Sequence, residues 1–223
     1  MNDELKFTVI SDIHYYSKKN FVDGFDKNKK PKPGQLFFSR SEEIVEHTFD
    51  CLCKNDTPDI VLISGDLTYN GERTSHDEMK AALKKLQQKG KRVYVITATH
   101  DYTTPRMPTY GIDKNDKYIE VESVNRTQLL KYYGDFGYNN AIAKHKSTMS
   151  YVAQLADGYR LFALNDDYGD PDCGFSDELM NWVKTEANNA KRDGQYIIAM
   201  THHPLVPPSP IYAAVAKGDM LNE

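Results

Sequence analysis

Five short runs rich in β-branched and aromatic residues, 6–11, 59–64, 92–97, 159–165 and 196–201, recur along the chain with helix-patterned segments between several of them. A strand, a helix and a further strand return the chain in the same direction, so this alternation predicts an α/β sheet. Strand-like runs on either side of Asp157-Gly158, a pair suited to a tight type I′ turn, add an antiparallel element. Mixed topology is therefore expected. Ser39 with Glu42 and Ser75 with Glu78 fit the S-x-x-E capping box and are predicted to open helices, the second ending near Gly90. Ser176 is predicted to cap a helix through Arg192 that Gly194 stops, with Leu179, Trp182 and Val183 on one face. Segments 16–35 and 103–118 read as long loops.

Composition narrows the function classes. With 223 residues and 39% apolar content the chain can bury one substantial core, and 1–223 is read as one domain. The net charge of −4 is dispersed, and the lysine-rich stretch 27–32 is broken by Pro31 and followed by Pro33 and Gly34, so it reads as a solvated loop with no nucleic-acid signal. Cys51, Cys53 and Cys173 cannot form a fully paired disulfide set, and one residue between Cys51 and Cys53 is too few for common zinc knuckles. No apolar run approaches the ~20 residues of a membrane span, and the first six residues are too short and polar for a signal peptide. The chain reads as soluble, either cytoplasmic or exported after removal of a signal.

The polar residues gather at the strand ends. Asp12 and His14 follow the first run, Asp66 the second, His100 and Asp101 the third, and His202 and His203 the last. In open α/β sheets ligands bind beyond the carboxyl ends of the strands, where loops converge. Alternate residues of an extended segment project to one side, so Asp12 and His14 can grip one ion while Ile13 anchors the core. In Ser64-Gly65-Asp66-Leu67-Thr68, Gly65 permits close backbone approach and the two carboxylate oxygens of Asp66 could bridge two cations. Each motif alone has an ordinary explanation as a cap, a turn or a half-buried histidine. Together they place several titratable groups at successive strand ends, which is costly without a shared purpose. Asp166 and Asp167 follow another strand and read as turn residues approaching a helix, with a supporting role at the site as the alternative. His47, His76 and His145 belong to no constellation and are assigned to surfaces or local hydrogen bonds.

In this order, D-x-H, G-D, an H-D pair and a strand-terminal H-H-P resemble the calcineurin-like metallophosphoesterase superfamily over almost the whole chain. Ser11-Asp12-Ile13-His14-Tyr15, the segment 62–68, Asn70-Gly71-Glu72 with Thr74-Ser75-His76, and the segment 133–138 are most similar to bacterial cyclic-nucleotide-phosphodiesterase-like members. The resemblance implies a β-sandwich of two mixed sheets flanked by helices. It makes Asp12 and His14 ligands of a first metal, Asp66 the bridge, and His202 a ligand of a second. It gives His100 contact with the phosphoryl group or the leaving oxygen, and Asp101 the task of orienting the site. It also implies two divalent or trivalent transition-metal ions, Mn, Fe or Zn, and a small phosphate-ester substrate. Hydrolysis of a phosphodiester, with a cyclic nucleotide as candidate, would use a hydroxide activated between the metals. On the substrate side, Tyr110 and Arg106 in the long loop, and His203, are candidate contacts.

Two departures stand out. The family's third motif is Gly-Asn-His-Asp, whereas this chain has Ala98-Thr99-His100-Asp101, so Thr99 stands where an amide oxygen completes the second metal. A neutral hydroxyl is a poorer ligand, and a weaker or water-completed second site is expected. The family's later Gly-His-x-His motif has no counterpart in residues 1–223, and the sequence reads as lacking a C-terminal segment that carries it. The rival readings are a catalytically impaired metal- or nucleotide-binding protein and, among enzymes, a phosphomonoesterase or nucleotidase.

Overall fold

The computed structural model describes residues 4–24, 38–54, 56–105, 107–167 and 174–205. Strands β1 (Phe7–Ile10), β2 (Ile60–Ser64) and β3 (Arg92–Ile96) form one sheet in sequence order, all parallel, because helices α1 (Ser41–Leu52) and α2 (Arg73–Gln88) carry the chain back between them. Strands β6 (Ala143–His145), β7 (Ser150–Ala156), β8 (Tyr159–Ala163) and β9 (Tyr196–Met200) form the second sheet. The β7–β8 pair is antiparallel across Asp157-Gly158, and helix α4 (Asp177–Arg192) returns the chain so that β9 lies parallel to β8. Only the second sheet is mixed among the described residues, where both were expected to be.

The two-residue period of the strands sorts the core into layers. Ile60 and Leu62 face the second sheet and pack with Tyr151, Leu155 and Leu161. Val61 and Ile63 face the other way, against Val45 and Phe49 of α1 and Met79, Leu83 and Leu86 of α2. On the far side of the second sheet, Val152, Phe162 and Leu164 meet Trp182, Val183 and Ala190 of α4. The order is helices, sheet, sheet, helix, with the Tyr151 hydroxyl donating to the Val95 carbonyl between the sheets at 3.1 Å.

Local structure departs from expectation in three places. α1 begins at Ser41 after a 3-10 turn over Phe38–Arg40, and Ser39 does not cap it. α2 begins at Arg73, and the Ser75 hydroxyl instead accepts from the Ser17 N–H (3.1 Å) and the Asn20 side-chain amide (3.1 Å). Within the predicted loop 103–118 lies β4 (Tyr110–Ile112), paired antiparallel with β5 (Tyr118–Glu120). Ser176 caps α4 as expected, accepting from the Leu179 N–H. A short helix α3 (Leu129–Tyr133) precedes the second sheet. The lysine-rich stretch, Cys173 and Arg106 lie outside the described residues, as does everything after 205.

Candidate metal centre

Because β1 and β2 run parallel in register, their ends emerge side by side, and their exit loops continue to pair. Asp12 N donates to the Gly65 carbonyl (3.2 Å), His14 N to that of Asp66 (2.9 Å) and Tyr15 N to that of Leu67 (2.9 Å). Asp12, His14 and Asp66 all sit in the left-handed region, at φ 55°, 45° and 53°. Non-glycine residues rarely adopt this conformation, and when they do so together it is commonly where function over-determines the backbone. Its effect here is to turn three side chains toward one point, with ligand atoms within 4.8 Å of one another. Gly65, at φ +101°, makes room: a Cβ there would lie 2.7 Å from the Ala98 Cβ and 3.1 Å from His202 Nδ1.

His14 Nε2 lies 3.7 Å from a carboxylate oxygen of Asp12 and 3.7 Å from Asp66 Oδ2. His202 Nε2 approaches that same Asp66 oxygen at 3.2 Å. His202 Nδ1 is 2.9 Å from the Ser64 carbonyl, which can only accept, so Nδ1 carries a proton. In the neutral ring the Nε2 lone pair then faces a carboxylate oxygen, which is repulsive unless a proton or a cation lies between them. The buried His14 Nδ1 has no hydrogen-bond partner among the described residues, so the polar contacts of this ring are with the carboxylates around Nε2. Two carboxylates and two imidazoles converging in this way suit a transition-metal ion. The donor set therefore fits the metals the fold implies.

The charges respond accordingly. Burial disfavours an ionised Asp66, but the hydrogen bond and charge of His202 outweigh it and hold the carboxyl below its ordinary range. Burial likewise opposes protonation of His202, yet Asp66 raises it to about 9. His14 is raised because Asp12 and Asp66 outweigh its burial. The more exposed Asp12 is held well below the usual carboxylate range, chiefly by the His14 imidazole beside it.

The β3 exit loop closes the centre. His100 N donates to Asp66 Oδ1 at 3.0 Å, and the His100 ring packs edge-on against His14 with centroids 4.8 Å apart. His100 Nδ1 is 2.6 Å from the Tyr69 carbonyl and 2.8 Å from Asn70 Oδ1, so this nitrogen is the donor and Nε2 remains for the site. Asp101 is wholly buried and accepts from Leu67 N (2.8 Å), Thr68 N (3.0 Å) and Ala98 N (2.9 Å), tying the β2 and β3 exits together. Burial, and next the charge of Asp66, push its carboxyl above the ordinary range against those three donors.

Other expected site residues fall at different removes. Thr99 opens the turn that carries His100. Among the described residues Tyr110 meets the site through Tyr69, hydroxyl to hydroxyl at 3.4 Å. The His203 ring stacks edge-on with His202, but its N–H and Nδ1 are both taken by Asp166, at 2.7 and 3.0 Å, which corrects the reading of Asp166 as a mere turn residue. Asp167 pairs with Arg126 at 3.2 Å.

Of the two expectations for His76, a surface position or a hydrogen-bonding role, the first is overturned, since the residue is fully buried, and the second holds with partners distant in sequence. Its Nε2 donates to the Asp101 carbonyl (3.0 Å) and its Nδ1 accepts from the Tyr133 hydroxyl (2.6 Å), so it props Asp101 from below. Its spacing to Met79, Leu83 and Leu86 on the buried face of α2 was the available signal. A cleft of about 300 Å³ opens beside Asp12 and His14, floored by Ile10, Ile13, Val45 and Phe49, and reaches neither His100 nor His202.

Residues 5–220 match the model of the calcineurin-like phosphoesterase family, and the chain belongs to that family. Phosphate-ester hydrolysis with divalent metal ions is the chemistry of this class. Among solved structures, a dimetal phosphatase from Danio rerio aligns with a TM-score of 0.57 at 12% identity, over 90% of this chain and 70% of that one, a likeness of fold. No curated protein matches the chain in sequence. No helix among the described residues is long and apolar enough to cross a membrane.

Proposed function

We propose that this chain is a metal-dependent phosphoesterase acting on a phosphodiester, with a cyclic nucleotide as the first physiological candidate. Asp12, His14, Asp66 and His202 are its metal ligands in this reading, and Thr99 is a weak further one. The observation that carries it is the single Asp66 oxygen faced by both His14 and His202, with Asp12 alongside. Two ions of Mn, Fe or Zn suit such a donor set. The likeness of the segments around Asp66 and His76 to bacterial cyclic-nucleotide-phosphodiesterase-like sequences supports the diester.

Bound metal ions supply Lewis acidity to the phosphoryl oxygens and to the attacking water. The chain's own residues position and protonate. The proton of His100 Nδ1 is committed to Tyr69 and Asn70, so the proton it can deliver to the departing alkoxide is the one on Nε2. Asp101 holds the loops that fix Asp66 relative to His100. With its Nδ1–H engaged by Asp166, His203 can donate from Nε2 to a phosphoryl oxygen when its ring is protonated, and Tyr110 and Arg106 belong to the substrate side.

Turnover of bis-p-nitrophenyl phosphate and p-nitrophenyl phosphate with added Mn²⁺, Zn²⁺ or Fe²⁺ tests this reading. Faster hydrolysis of the diester is expected. Preference for the monoester would instead indicate a phosphomonoesterase or nucleotidase. Metal binding without turnover of either would favour the binding-protein reading, which Thr99 in place of an amide ligand supports.

A further inference from the structure

A wall of aromatic rings begins one ring away from His100. The Tyr69 ring lies 6.2 Å from that of His100 and 6.5 Å from that of His14, and Phe38 packs edge-on against it at 4.5 Å. Tyr110 follows at 6.2 Å from Tyr69, and Tyr118 at 4.1 Å from Tyr110. Tyr69, Phe38 and Tyr110 are half-buried and Tyr118 is 59% exposed, so the wall keeps an open face.

Behind it sits Tyr16, fully buried, 4.9 Å from Phe38 and 6.0 Å from Tyr69, with its hydroxyl donating to the Tyr110 carbonyl at 3.0 Å. The backing fixes the rings in place before any ligand arrives, which lowers the ordering cost of binding. Tyr69 is also the residue whose carbonyl sets the tautomer of His100, so the wall and the proton donor share a backbone. Exposed apolar surface of this kind marks ligand-binding sites, and a planar ring docked on it gains offset or edge-on stacking.

We infer that Tyr69 and Phe38, flanked by Tyr110, form a subsite for a planar aromatic group on the ester, so that the substrate class is a phosphate ester bearing a nucleobase or other aryl moiety. The inference rests on the phosphoesterase reading, whose cyclic-nucleotide candidate carries a base, and adds the residues that would hold that base. A base stacked here lies beside His100, with the phosphoryl group at the carboxylate cluster. Stacking on aromatic side chains is tolerant of base identity, so purine and pyrimidine esters are both accommodated.

The test compares ligands matched in everything but the ring: adenosine 3′,5′-cyclic phosphate against the same cyclic ester of 1-O-methylribose for kcat/KM, and adenosine 5′-phosphate against ribose 5-phosphate for calorimetric binding to the Mn²⁺-loaded protein. The base-bearing member is expected to be favoured about ten- to hundredfold. Tyr69→Leu and Phe38→Leu each collapse that ratio toward one, whereas Tyr69→Phe, which keeps the ring, retains it. Should one leucine variant fail to fold, the other carries the comparison. A ratio near one in the unaltered protein, or a ratio surviving in the leucine variants, overturns the subsite. Absence of turnover with the binding ratio intact upholds the subsite and sinks the phosphoesterase reading alone.

Discussion

His202 Nε2 stands 3.2 Å from Asp66 Oδ2 while its other nitrogen is bound to the Ser64 carbonyl, so the ring is oriented with one face of its chemistry reserved for whatever Asp66 holds. A carbonyl that fixes the far nitrogen of a histidine is the usual support of a metal ligand. A metal binding only the folded chain must stabilise it, by about 2.7 kcal/mol at a hundredfold excess over Kd. For a chain of this size that is a rise of roughly 5–10 °C in Tm on adding Mn²⁺, reversed by chelation. Asp66→Asn and His202→Ala are expected to abolish the rise, as read by calorimetry. An undiminished rise in both would remove these residues from the ligand set.

Asp101 is expected to matter as an acceptor and not as a charge that reaches substrate. Its two oxygens take three backbone N–H groups, so Asp101→Asn forces an amide N–H₂ against at least one of those donors whichever way it turns. Leaving a buried donor unmatched costs about 1–3 kcal/mol. Urea denaturation should show that loss, and kcat should fall because the loops bearing Asp66 and His100 are no longer tied. Unchanged stability would show that the three bonds contribute nothing.

The parts of the site legible in the sequence were those written locally. Asp12, His14, Asp66 and His202 lie within a few residues of strand ends whose β-branched runs are unmistakable; parallel pairing brings the β1 and β2 ends together, and His202 arrives from β9 of the other sheet. The left-handed backbone at Asp12, His14 and Asp66 left only a faint trace in residue type, since Asp and His tolerate it better than most residues but adopt it seldom, and Gly65 alone advertises such a turn strongly. Ser75 looked like a cap because its hydroxyl can serve as one, but tertiary structure spends it on Ser17 and Asn20. The roles of His76 and Asp166 rest on partners distant in sequence, Tyr133 and His203, which no local pattern reports. β4 and β5 are three residues each, too short for alternation to register.

Gly65 should tolerate no side chain. Gly65→Ala would meet both a positive φ and a Cβ placed 2.7 Å from Ala98 and 3.1 Å from the His202 ring. The backbone strain alone costs roughly 1–3 kcal/mol. Relief requires moving His202 off Ser64, so the Mn²⁺-dependent rise in Tm should shrink by more than the metal-free stability loss would produce. Equal effects on both would mean that the glycine serves the backbone only.

Two buried groups at the start of α2, Glu72 just before it and His76 in its first turn, should give opposite pH dependences when separated. Burial lowers His76 to about 3, so its neutral form is the folded form, and the stability it permits is present above 6.5 and lost as pH falls toward 3. Burial raises Glu72, whose Oε2 has no partner among the described residues, to about 7, so its stability is present below 4.5 and lost as pH rises toward 7. Between pH 7 and pH 5 each is worth about 2 kcal/mol with opposite sign, and in the unaltered chain they largely cancel. His76→Gln should therefore become more stable relative to the parent at pH 5 than at pH 7, and Glu72→Gln less so. Urea melts in chelator keep metal linkage out of the comparison. Parallel curves for the two variants would show that neither group titrates abnormally, and would remove the reason for regarding His76 as a neutral prop under Asp101.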